Sequence, residues 1–291
     1  MADLDLRPLS LGEILDRTFT LYRRHFLLFL GITAFPHLLI LGLNLVQASL
    51  TTMPALPGKP PVEHFQGGPS TGLFAFGIFG VIIALIVYLI AYLFSQGGTV
   101  YAVSELYLGR TTTIGASLRR MWGQLGNLFL VSLLNGIAVG LSFILLIIPG
   151  IYVACRLITC VPAALLEDLG ASRSLGRSWE LTKDNAGRAF VIGLLYFGIF
   201  YAATLLLMMP FGVGVVIAVA KQDVEMLRMW SALMNVGSFV VQVLVSPILL
   251  IATSVFYFDL RVRKEAFDLQ MMMNPGGAIS SGRPSVPSIL S

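Results

Sequence analysis

Charge in this chain is almost confined to four short islands. Between them run apolar stretches of about 20 residues or more, enough for a helix to cross roughly 30 Å of hydrocarbon. Charged residues make up 12% of the chain, against about 25% in a soluble domain, so the apolar surface has no soluble fold to hide in. The expected fold is all-α: a polytopic bundle of about six transmembrane helices, at 26–50, 72–103, 127–148, 151–166, 190–218 and 232–258. Pro210 and Pro247 fall inside the fifth and sixth spans and mark kinks.

The islands orient the chain. Residues 1–25, 104–126, 167–189 and the stretch after 258 hold 15 Lys and Arg, whereas the alternate connections hold only Lys59, Lys221 and Arg228. This imbalance puts both termini in the cytoplasm of a cell (inner) membrane protein and requires an even number of crossings. Residues 1–25 mix Asp3, Asp5, Glu13 and Asp16 with four arginines and lack a small-residue cleavage site, so the first span reads as an uncleaved insertion signal. Residues 1–267 form the membrane domain, and the Pro- and Ser-rich stretch 268–291 reads as a disordered cytoplasmic tail. Residues 51–71 read as a flexible outer loop, and Pro149-Gly150 as a tight turn joining spans three and four.

Three islands carry amphipathic, interfacial helices. Ser10 and Glu13 form a capping box, followed by a stripe of Leu11, Ile14, Leu15, Thr18, Phe19, Tyr22 and Phe26. The second island carries Leu118, Met121, Trp122, Leu125 and Phe129 on one side and Arg119 and Arg120 elsewhere. The third sets Leu175 and Trp179 against Arg173, Arg177 and Glu180. Each therefore places an aromatic near arginine before a span, in three units of interfacial helix, span and span. That order fits either a true triplication or topology alone.

Several blocks resemble a known family. Leu9-Ser-Leu-Gly-Glu-Ile-Leu-Asp-Arg17 with Leu21-Tyr-Arg-Arg-His-Phe26, then Pro149-Gly-Ile-Tyr152 with Arg156, Val161-Pro-Ala163 and Leu166-Glu167, then Leu175-Gly-Arg-Ser-Trp-Glu-Leu-Thr182, are similar to the membrane domain of glycerophosphoryl diester phosphodiesterase in bacterial proteins. The resemblance covers about residues 7–265. Some members fuse this region to a soluble phosphodiesterase barrel; here it implies a stand-alone membrane module without the catalytic domain, since no soluble gap exceeds about 35 residues. The Lys183–Gly187 stretch departs from the basic, aromatic continuation the family shows.

No catalytic motif of the nucleophile-elbow, zincin or phosphate-loop kind is present, and no cofactor or metal set is indicated. His25, His37 and His64 are scattered, and Cys155 and Cys160 point in different directions on a helix. Glu167, Asp168 and Asp184 read as a solvated charged face. Arg156 is the most informative residue: an intramembrane arginine costs a few kcal/mol or more unless it snorkels or is paired. Two readings stand open, an anion or lipid-phosphate contact in a cavity and snorkelling past the tight turn to the outer surface. The candidate lipid contacts are Arg156, Arg119, Arg120, Arg177, Trp122 and Trp179, with anionic head groups as partners. The basic residues flank spans rather than forming a stripe, which excludes nucleic acid. The function expected is that of a non-enzymatic scaffold or regulatory subunit with a membrane or cytoplasmic protein partner, linked to lipid or envelope metabolism. The alternative is a transporter or lipid-handling protein built around Arg156.

Overall fold

A computed structural model describes residues 8–51 and 71–265. Of the loop expected at 51–71, Thr51 and Thr71 belong to helices, and 52–70 lie outside the described residues, as do the tail at 268–291 and Arg7, Lys59, His64 and Arg283. The described residues form helices α1 (Leu11–Arg24), α2 (Phe26–Thr51), α3 (Thr71–Tyr107), α4 (Ile114–Met121), α5 (Leu125–Leu145), α6 (Ile147–Leu157), α7 (Cys160–Leu166), α8 (Ala171–Leu181), α9 (Ala186–Ala220) and α10 (Val224–Glu265). Six stretches are long and apolar enough to cross a membrane, the all-α polytopic bundle expected: Phe26–Leu45, Ile82–Tyr107, Ile114–Leu145, Ile147–Leu166, Ala186–Ala220 and Val224–Glu265. The short amphipathic helices α1 and α8 each precede a pair of these stretches, and α4 opens the third stretch.

The chain divides into two compact units. The first comprises Met1–Thr33, Leu93–Ile199 and Leu244–Ser291, and holds all of α4 to α8. Its core is the buried run Val100–Val103 of α3 and Val255–Leu260 of α10, with Phe29 and Ile32 of α2 and Ile14 of α1. Helix α1 opens with the predicted capping box: the Ser10 amide donates to Glu13 Oε2 at 2.6 Å, and the Glu13 amide donates back to Ser10 Oγ at 3.3 Å. Tyr22 donates to the Leu244 carbonyl at 2.8 Å, and its burial pushes the phenol pKa up.

Helix α4 seats itself on glycines. A Cβ at Gly98 would meet Leu118 at 3.0 Å and Ile32 at 3.2 Å, and one at Gly97 would run into Met121. The buried face of α4 is therefore Ser117 and Met121, whereas Trp122 is 74% exposed in the short 3₁₀ turn that follows. This corrects the expected stripe, in which Trp122 packed beside Met121. Similarly, α8 buries Ser174, Ser178 and Leu181, because small hydroxyl residues let it approach other backbone closely.

The α5–α6 connection also departs from expectation. The chain reverses at Leu146, in extended backbone (φ −164°, ψ 153°), so Pro149 and Gly150 lie inside the first turn of α6. Proline fits there because that turn has no intrahelical acceptor for its amide. Gly150 serves packing instead: a Cβ on it would sit 2.5 Å from Phe143 Cγ and 2.9 Å from Phe143 Cα. The fourth stretch is broken at Ile158-Thr159, where Pro162 lacks the amide that the Ile158 carbonyl would accept. The GxxxG pair Gly136 and Gly140, by contrast, meets nothing within 4 Å.

The second unit comprises Ala34–Tyr92 and Phe200–Val243. Within it the indole of Trp230 lies on Gly214, and a Cβ on Gly237 would meet the Met208 methyl at 2.5 Å and the Phe211 ring at 2.9 Å. Small residues here serve close helix packing.

Gly150→Ala is expected to destabilise the protein by about 1–3 kcal/mol, because the α5 backbone blocks the new methyl. A thermal unfolding scan in mild detergent checks this; an unchanged midpoint would contradict the close crossing.

Candidate functional site

The first unit gathers the charged side chains at one base. Three acids there stand at the end of the second apolar stretch of each sequence unit: Glu105 and Asp259 in its last turns and Glu167 just after it. Each reaches the amphipathic segment that opens the next unit. Glu105 accepts from Arg120 of α4 at 2.9 Å, with Arg110 at 3.7 Å. Glu167 accepts from Arg177 Nε of α8 at 2.8 and 3.1 Å. Asp259 accepts from the backbone amide of Leu9, just ahead of α1, at 2.7 Å. The third acid thus closes the cycle on the first helix.

The Asp259 site is the most buried. Its side chain is fully inaccessible, held by Arg188 Nη1 at 2.7 Å and Arg263 Nε at 3.0 Å. Both arginines also donate to the Leu9 carbonyl, Arg188 at 2.7 Å. The chain entering α1 is therefore gripped by its amide and its carbonyl together. Around Glu167 a second network closes: Tyr257 donates to it at 2.8 Å, Arg261 lies 3.8 Å away, and Arg177 and Arg261 both pair with Glu265. Glu167 is therefore a partly buried hub, which corrects the expected solvated face. Asp168 beside it adopts φ 51° and accepts from Gln124 at 2.8 Å.

Arg156 stands apart from these acids. It occupies the last turn of α6 and is 5% exposed. Its carbonyl accepts from Ser178 and Thr182 of α8, each at 2.9 Å, and Ser178 is joined to Thr159 at 2.9 Å. Those hydroxyls supply a helix end that the break before α7 leaves without amide partners. The guanidinium lies over the Trp179 ring at 4.5 Å and the Tyr152 ring at 5.8 Å. Among the described residues no carboxylate pairs with it, and its Nε is buried without a hydrogen-bond partner. It packs against α8, not toward the turn at Leu146, which overturns the snorkelling route past that turn.

The candidate lipid contacts thus fall into three places. Arg156 and Trp179 come together. Arg177, two residues before Trp179, points into the Glu167 network. Arg120 pairs with Glu105 and lies over the Tyr101 ring at 4.8 Å, while Arg119 and Trp122 are exposed, Trp122 beside Phe94 at 5.6 Å. Sequence reasoning missed Asp259, Arg188, Arg263, Tyr257, Arg261 and Glu265. The available signal was an acid directly at the end of each second stretch. Cys160 packs with Val131 and Ala164, and His37 is half-buried on α2; among the described residues no cluster of His, Cys, Asp or Glu could hold a metal.

Residues 133–274 match the family model described as the membrane domain of glycerophosphoryl diester phosphodiesterase, which bears out the resemblance over that stretch. The matched region contains the Pro149–Glu167 and Leu175–Thr182 blocks and all of α6 to α10. No curated protein and no solved structure matches the chain. Family and helices together make this a multi-pass membrane protein.

The two ends of the ion-pair scale should separate experimentally. Asp259→Asn leaves two arginines facing a neutral amide in a buried site and is expected to cost about 3–5 kcal/mol. Glu105→Gln, where the arginine is half-exposed, should cost no more than about 1 kcal/mol. Equal losses in detergent unfolding would contradict this ranking.

Proposed function

We propose that this protein, whose residues 133–274 belong to the membrane-domain family of glycerophosphoryl diester phosphodiesterase, acts without catalysis of its own, as a scaffold or partner subunit in lipid or envelope metabolism. The observation that carries this reading is the commitment of the base acids. Hydrolysis of a phosphodiester needs carboxylates or histidines free to converge on a metal or a water. Glu105, Glu167, Asp259 and Glu265 are instead engaged by arginines, and Asp259 also by a backbone amide. Such an arrangement gives rigidity rather than reactivity. The protein resides in the inner membrane with both termini in the cytoplasm, as the Lys and Arg distribution supports. The charged base then faces the cytoplasm, where a protein partner would meet it.

Purified protein mixed with a glycerophosphodiester and Mg²⁺, Ca²⁺ or Zn²⁺ is expected to release no glycerol phosphate. Metal-dependent turnover that tracks the protein through purification would overturn the reading. Reporter fusions at both termini should be active only in the cytoplasmic form.

Arg156 favours a second reading, a lipid-handling protein. A buried cation with no carboxylate, resting on two ring faces, lacks a counter-charge that a lipid phosphate would supply. Under this reading vesicles rich in anionic phospholipid raise the melting temperature of the protein above that in zwitterionic vesicles, and Arg156→Gln removes most of the rise. An equal rise in the variant would eliminate this reading.

A further inference from the structure

We infer that α5 and α6 form a re-entrant hairpin: it enters the bilayer from the face where α8 lies, turns at Leu146 within the hydrocarbon, and returns to the same face. The surface it presents is fitted to the acyl chains of one leaflet. This goes beyond the proposed function and does not depend on which face is cytoplasmic.

The depth follows from Arg156. Its carbonyl is bonded to Ser178 and Thr182, so it sits at the level of α8. That helix lies at the water boundary: Lys183 and Asp184 follow it in an exposed turn, the Glu180 backbone carbonyl accepts from Lys264 Nζ at 2.7 Å, and Arg177 pairs with Glu265 at the charged end of α10. From Arg156 to Leu146 is ten residues of sequence. At about 1.5 Å each they rise about 15 Å, half of a hydrocarbon layer of about 30 Å. The tip therefore falls near the midplane.

Helix α5 keeps most of its polar side chains below the same level. The crossing of Phe143 on Gly150 sets an antiparallel register that brings Gly136 or Ile137 level with Arg156. Below that level α5 carries its polar side chains among apolar ones, of which Leu130, Leu133 and Leu134 are exposed. Asn127 donates to the Leu169 carbonyl at 2.8 Å, Val131 packs on Cys160, and Ser132 and Asn135 follow. Above it, Ser142 is the one polar side chain up to the tip, and it turns back to the Ala138 carbonyl at 2.7 Å.

The tip itself suits lipid and not water. Ile144, Leu145, Leu146, Ile147 and Ile148 are consecutive and each 69–82% exposed. In water such a knob would be a sticky patch. Hydrocarbon penalises unpaired backbone, and this turn limits it: Leu146 donates to the Ser142 carbonyl, Gly150 donates to the Leu146 carbonyl, and Pro149 has no amide. Below the tip, Tyr152, Trp179 and Arg156 form a collar of the kind found at a membrane interface. A hairpin that returns to its own face adds no net crossing. Four full crossings plus the hairpin therefore keep the even parity that the charge distribution requires.

Cysteine accessibility tests this in the full chain. In a background with Cys155 and Cys160 replaced by serine, Ile144→Cys, Leu146→Cys and Ile148→Cys are made singly in sealed vesicles. Asp184→Cys and Gln222→Cys, at the two ends of α9, serve as markers for the opposite faces. A membrane-impermeant maleimide is expected to label the two markers from opposite sides and the hairpin cysteines from neither. Labelling of Leu146→Cys from the Gln222 side would overturn the proposal in favour of two full crossings. Labelling from the Asp184 side would overturn it in favour of a hairpin outside the membrane. A spin label at Leu146→Cys gives a second readout: collisions with oxygen should greatly exceed those with a polar nickel complex, and the reverse ratio would equally refute the inference. Should the serine background fold poorly, alanine at both positions supplies the alternative.

Discussion

The buried carboxylate of Asp259 is the constraint on which the first unit depends. It has no access to water, so its charge must be met inside the protein, and two arginines and one amide meet it. These partners lie 71, 4 and 250 residues away in sequence, so satisfying one charge brings together the start of α9, the end of α10 and the segment before α1. Replacing such a cluster with apolar residues could be neutral or stabilising, but removing one member leaves charge stranded. Its value lies in specificity. Apolar helices pack against one another in many registers, whereas one carboxylate with fixed donors accepts very few.

The same device recurs with decreasing burial. Asp259 is wholly covered, Glu167 is 16% accessible and Glu105 21%, and each joins the end of a second apolar stretch to the amphipathic segment of the following unit. Charge at these span ends is thus more than a signal for membrane orientation. It sets which short helix docks where, and the tyrosine at the Glu167 hub and the stacked Tyr107 and Phe258 rings at 4.6 Å fill the space between the pairs.

Much of the helical content was legible in the sequence because it rests on local rules. The capping box needs only Ser10 and Glu13, and the apolar stretches need only length and composition. The turn of the α5–α6 hairpin was misplaced for an equally local reason. Proline and glycine usually punctuate turns, but here Pro149 fits a first helical turn and Gly150 serves a crossing. The candidate site was only half legible. Arg156 stood out as a cation in an apolar run and Trp179 as the aromatic of the third island, but nothing in the sequence paired the two. For Asp259 the one local signal was its place at the end of a second apolar stretch, and its partners are fixed by tertiary structure alone. Nor did periodicity reveal that α8 turns its serines inward, since serine is counted as polar although it lets two backbones approach.

Arg156 shows the opposite solution to the same electrostatic problem. At Asp259 opposite charges are brought together, and an added ion would have to displace an existing partner. At Arg156 the charge rests on the faces of Trp179 and Tyr152, which attract a cation without neutralising it. A guanidinium so held keeps a positive charge that no carboxylate among the described residues answers. It also keeps donor capacity, as its unpartnered Nε shows. An anion arriving there gains a charge-assisted contact without breaking an ion pair, whereas one arriving at the Glu167 or Asp259 networks would have to break several. Within one base, therefore, the saturated networks supply rigidity, and Arg156 carries a charge that no carboxylate among the described residues meets.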